Sequence, residues 1–153
     1  MKRLLLAAAI LIACLVGVMQ GGCSTTALPA GTSADSEATS VNAGDASLAG
    51  AFAGRASNLE VEGQGTVSRL LTDDIEGAKH QRFIVRLASG QTLLITHNID
   101  IAPRVSSLRV GDTVSFKGEY EWNAQGGLIH WTHHDPTGSH AGGWIRHKDR
   151  TYQ

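Results

Sequence analysis

"RVGDTVSFKGEYEWNAQGGLIHWTHH", residues 109–134, is the stretch on which the fold turns. Val114, Phe116, Tyr120 and Trp122 recur at every second position, the spacing that sends alternate side chains to one face of a strand. "NAQGG" (123–127) is a turn signal, and "LIHWTHH" (128–134) brings the chain back. An even-numbered loop, either the pair Ala124-Gln125 or residues 124–127, puts Phe116, Tyr120 and Trp122 on one face with Ile129, Trp131 and His133. That aromatic face is the expected core. The other face then carries Lys117, Glu119 and Glu121 against His130, Thr132 and His134. His130 falls opposite Glu119 or Glu121, with β-carbons about 4.5–5.5 Å apart.

Outward from this hairpin the texture stays that of short strands. "HQRFIVRL" alternates, with Phe83, Val85 and Leu87 on one side and Arg82 and Arg86 on the other. "ASGQ" is a tight turn into "QTLLITH", and "NIDIAPRVSSL" connects onward. Residues 59–71 form an extended stretch that Gly63 and Gly65 bend or bulge. Three strands, a short helical or irregular connection and a two-strand hairpin predict an all-β protein. The expected architecture is a small five-stranded OB-like Greek-key barrel with an irregular C-terminal tail. An SH3-like barrel or a small sandwich is the alternative.

The N-terminus has a different character. Lys2 and Arg3 precede an uncharged apolar run, Leu4 to Met19, and then "GGCSTT". This has the pattern of a bacterial export signal. Cys23 resembles the lipidation site of bacterial lipoproteins; processing at Cys14, ordinary cleavage near Ala27 or Ala30, and a retained anchor are the alternatives. Residues 24–58 are rich in Ala, Gly, Ser and Thr and read as a flexible tether, reaching roughly 30–35 Å. A short helix at residues 46–55 is the rival reading. The expected division is therefore an export signal at 1–22, a tether at 23–58 and a barrel domain with tail at 59–153.

Composition narrows the function. The chain has 153 residues and a formal net charge of −1, which gives no field to gather polyanions and disfavours nucleic acid as a partner. Both of its 2 cysteines lie in the signal region, so the folded part has no thiolate ligand, no thiol nucleophile and no disulfide. A metal such as Zn²⁺ or another transition ion must then be held by nitrogen and oxygen. Of the 7 histidines, 4 fall in residues 130–140. The candidate metal ligands are His130, His134, Glu119, Glu121 and, from the tail, His140. Candidate ligand-binding residues are His80, Arg82 and His97. The competing view of these groups is structural: cross-strand His–Glu pairs on a solvated sheet face, worth fractions of a kcal/mol.

"HQRFIVRLASGQTLLITHNIDIAPRV", "GDTVSFKGEYEWN" and "GGLIHWTHHDPTGSHAGGWIRH" resemble a family of small bacterial proteins classed as a domain of unknown function. The resemblance covers about residues 63–153 and implies no activity. From the residues, the expected function is an exported, lipid-anchored binding module of the cell envelope, taking a transition metal or a small polar ligand on its His/Glu face. A metal-dependent hydrolase or nuclease on the same face, with His80 or His97 as acid–base, and a structural or protein-interaction module are the alternatives.

Overall fold

The computed structural model describes residues 34–153, with side chains from residue 43 onward. The expected export signal and Cys23 lie outside the described residues. The described elements are α1 (Ala34–Gly54), β1 (Leu59–Leu70), β2 (His80–Arg86), β3 (Thr92–Asn98), β4 (Thr113–Glu121), β5 (Leu128–His130), β6 (Trp144–His147) and β7 (Arg150–Tyr152).

Five strands close into a barrel in the order β1-β2-β3-β5-β4, returning to β1. Only β3 and β5 run parallel; the other barrel pairs are antiparallel. This is the expected all-β Greek-key barrel of the OB type. Closure depends on β1 serving two neighbours. Its first part, Leu59 to Thr66, pairs with β4, and from Thr66 to Leu70 it pairs with β2, with a register shift between Val67 and Arg69. Val61, Val67, Phe83, Val85, Leu93, Ile95, Val114, Phe116, Tyr120 and Ile129 fill the interior. Gln81 is buried with them. Its amide oxygen accepts from Val105 N at 2.8 Å and its Nε2 donates to Val105 O at 3.1 Å, tying the irregular β3–β4 connection to β2.

Two expectations need correction. Residues 34–54 are helix rather than tether. The composition is poor in apolar residues, so tertiary packing carries the helix. Leu48 is fully buried and Ala51 nearly so. A β-carbon on Gly63 would meet Leu48 Cδ1 at 3.3 Å and Phe116 Cζ at 2.9 Å, so glycine is what lets the helix seat against the barrel. Asp45 Oδ2 accepts from Ser89 N at 3.1 Å, and Trp122 Nε1 donates to Phe52 O at 3.2 Å. The helix ends in a tight reversal: Arg55 has φ 52°, and Ala56 N donates back to Ala51 O at 3.0 Å.

The tail is the second correction. Expected as irregular, it contains the β6–β7 hairpin, which adds to the β4 edge through Val114↔His147 to Lys117↔Trp144. Ile145 and Tyr152 are buried, and His147, only 3% exposed, donates from Nε2 to Asp112 Oδ2 at 2.8 Å. Among the described residues no helix is long and apolar enough to cross a membrane.

Because Leu48 is fully buried against the barrel, Leu48→Ala is expected to cost about 2–5 kcal/mol in urea denaturation. Ser47→Ala, on the exposed side, is expected to change stability by less than about 0.5 kcal/mol. Equal, small effects would mean that the helix contributes nothing to the barrel.

Candidate metal centre on the outer barrel face

The β4–β5 register is Glu119↔His130, Tyr120↔Ile129 and Glu121↔Leu128. Tyr120 and Ile129 therefore point inward and are fully buried, while both glutamates and His130 share the outer face. His130 Nε2 lies 3.4 Å from Glu119 Oε1. One ligand atom each from Glu119, Glu121 and His130 lies within 4.8 Å of the others. Donors at about 2.0–2.2 Å around a tetrahedral ion stand about 3.3–3.6 Å apart, so modest side-chain movement would complete the geometry. His130 Nε2 is shielded from solvent and makes no hydrogen bond. A buried polar atom without a partner is costly, on the order of 1–3 kcal/mol.

The tail brings a second imidazole to the same place. His140 Nδ1 is 3.7 Å from Glu119 Oε2, and its ring stacks on Trp131 with centroids 3.8 Å apart. Asp135 organises the loop that delivers it. Its carboxylate accepts from Thr137 N at 2.8 Å, from His140 N at 2.7 Å and from Ser139 N. The hydrogen bond from Thr137 N, with those from the Thr137 hydroxyl, His140 N and Ser139 N, holds the Asp135 carboxyl well below its usual range. Gly143 closes the loop, its N–H donating to His133 O at 2.9 Å.

His134 does not join this group. β5 ends at His130, and Trp131 has φ 52°, so strand alternation stops one residue later. Thr132 turns inward and is fully buried, Trp131 is half-buried rather than in the core, and His134 is exposed. His133 is buried, as expected; its Nδ1–H donates to His134 O at 2.8 Å.

The candidate set of His80, Arg82 and His97 is not assembled either. His97 lies on the inner face of β3 and is fully buried. Its Nε2–H donates to Pro103 O at 3.1 Å, and its Nδ1 therefore accepts from the Thr132 hydroxyl at 2.8 Å. Burial lowers its pKa from 6.5 to about 4, against the hydrogen bond to Pro103, which raises it. A neutral ring with both nitrogens occupied is unsuited to acid–base work. The signal was legible: Leu93, Ile95 and His97 alternate on one strand face. Arg82 spends its Nε on Thr72 O at 3.1 Å. His80 lines an outer cleft with Thr96, Asn98, Ile101, His130, Trp131 and His133, and the last of these was missed as a site residue. In the connection between β1 and β2, both carboxylate oxygens of Asp73 accept from Arg104 Nη1, at 2.9 and 3.1 Å.

The chain is thus a closed five-stranded β-barrel with a His/Glu cluster on its outer face. Residues 32–153 match the family model described as "Protein of unknown function (DUF3465)", and the chain belongs to that family. The match takes in α1, which the sequence resemblance left out. No curated protein matches the chain.

His97 resists protonation in the folded protein and not in the unfolded one. The unfolded chain therefore binds the extra proton, and stability falls as pH drops from about 6.5 to about 4, by roughly 3 kcal/mol. NMR titration of the ring ¹⁵N signals is expected to find His97 neutral down to about pH 5. An ordinary midpoint near 6.5 would overturn the assignment of a neutral core imidazole.

Proposed function

We propose that the protein is a metal-binding module in which Glu119, Glu121 and His130 hold a divalent transition ion and His140 supplies a fourth donor. The observation that carries this reading is His130 Nε2: a solvent-shielded imidazole nitrogen, without a hydrogen bond, 3.4 Å from a carboxylate oxygen. Imidazole nitrogen with carboxylate oxygen suits Zn²⁺, Ni²⁺, Cu²⁺ or Fe²⁺, and the absence of cysteine from residues 24–153 leaves no thiolate competitor. Bound at that point, the ion would also relieve the mutual repulsion of Glu119 and Glu121. The apolar leader and the "GGCSTT" stretch support an exported module anchored to the cell envelope through a lipid on Cys23.

Elemental analysis of protein purified without a histidine tag is expected to find metal in stoichiometric amount. After chelation, Zn²⁺ or Ni²⁺ at a hundred times Kd is expected to restore about 2.7 kcal/mol, a Tm rise of roughly 5–15 °C. Glu119→Gln and His130→Ala are expected to abolish the rise, His140→Ala to reduce it, and His134→Ala to leave it intact. No metal and no shift in the wild type would sink the metal reading. Radiolabelled palmitate is expected to label the full chain expressed in a bacterium and not its Cys23→Ser variant; equal labelling of the two would rule out Cys23 as the anchor.

A further inference from the structure

Beside His130, in a cleft whose lining does not include Glu119, there is room for a second guest. The cleft is about 240 Å³, large enough for one six-membered ring with its substituents, and it lies over the ends of β2, β3 and β5. Its walls are His80, Thr96, Asn98, Ile101, His130, Trp131 and His133. We infer that this cleft is a binding site for a neutral polyhydroxylated ring, the chemistry of a pyranose sugar. The cleft shares His130 with the neighbouring cluster, but Thr96, Asn98 and His133, whose polar groups carry the argument, are not members of that cluster.

Three features of the lining carry the inference. The first is polarity that is already set. His133 is only 3% exposed, and its Nδ1 must be the protonated nitrogen because its partner is a carbonyl oxygen. That leaves Nε2 as the ring atom open to a ligand, and no described residue bonds to it. Asn98 Oδ1 accepts from Asp100 N at 2.9 Å, which fixes the amide and leaves its NH₂ group as a donor. The Thr96 hydroxyl donates to Ile129 O at 3.2 Å and so keeps its lone pairs for an incoming donor. Acceptors and a donor on one wall match hydroxyl groups, each of which can give and take a hydrogen bond.

The second feature is the kind of polar group present. Among the described residues no carboxylate, ammonium or guanidinium group lines the cleft; its polar groups are hydroxyl, amide and imidazole. The nearest charged neighbours in sequence are satisfied by each other: Lys79 Nζ lies 3.5 Å from Asp100 Oδ1, and Lys79 N donates to Asp100 Oδ2 at 2.7 Å.

The third feature is apolar surface of limited kind. Ile101, 41% exposed, is a large aliphatic side chain standing in the open at the rim. Trp131 adds its indole, and His140 already stacks on that indole at 3.8 Å. A flat nucleobase needs a free aromatic face on which to lie. A sugar needs only C–H contact with an edge or an aliphatic group, while its hydroxyls reach the polar wall. The same placement, over strands β2 and β3, is where OB barrels commonly present ligand surfaces.

The test is an NMR titration of the full chain with glucose, N-acetylglucosamine and adenosine in turn. The resonances followed are the Asn98 side-chain amide and the His133 ring nitrogens. Either sugar is expected to shift both sets with a Kd on the order of millimolar. The shifts are expected to vanish in Asn98→Ala and in Ile101→Glu, a rim position where a charge does not disturb the core. They are expected to persist in Glu119→Gln, which separates this site from the metal cluster. No shift with either sugar, shifts that survive Asn98→Ala and Ile101→Glu, or a response to adenosine alone would overturn the inference.

Discussion

Closing the barrel requires β1 to bend far enough to hydrogen-bond two partners, and every later contact depends on that bend. Eight of its residues, Leu59 to Thr66, pair with β4 before the strand passes to β2. Gly63 and Gly65 sit on its inward face, where any larger side chain would strike Phe116 or the Arg86 backbone. The missing side chains are made good from outside: Leu48 of α1 reaches into the space over Gly63. The helix and the bend are thus one device. A strand thinned by glycine curves more readily but packs less, and the helix supplies the apolar volume that the strand gives up.

The outer site follows from the same closure. With β4 fixed against β1, its alternation is fixed too, and Val114, Phe116 and Tyr120 must face inward. Glu119 and Glu121 are then forced outward, and the antiparallel register with β5 brings His130 to them. A one-residue slip of β4 would turn Lys117, Glu119 and Glu121 inward, so the core that holds the barrel together also holds these side chains in place.

This part of the molecule was legible in the sequence because it depends only on a period of two and a short even loop. The Glu119↔His130 pairing is the one that the Ala124-Gln125 turn predicts. Legibility ended where the backbone left the strand. Nothing in the letters marks Trp131 as adopting φ 52°, and that single residue sends Thr132 inward and removes His134 from the site. Residues 34–54 were opaque for another reason. A helix rich in alanine, serine and glycine has the composition of a linker; its seat over Gly63, through Leu48, and its bonds to Ser89 and Trp122 are contacts that no local pattern marks. His97 was legible by alternation with Leu93 and Ile95, but its polar neighbours Asn98 and Asp100 suggested a surface.

The hydrogen bond from Gly143 N to His133 O turns the segment between them into a closed ring, pinned on one side by the end of β5 and on the other by β6. The ends of that ring are held whether or not anything is bound. The entropy of bringing His140 beside Glu119 is therefore largely spent when the barrel folds, and lengthening the ring would add only slowly to it. Loop and scaffold are mechanically separate parts: the Asp135 carboxylate sets the shape of the loop through its bonds to Thr137, Ser139 and His140, while the inward-facing side chains of the barrel are held by the strands.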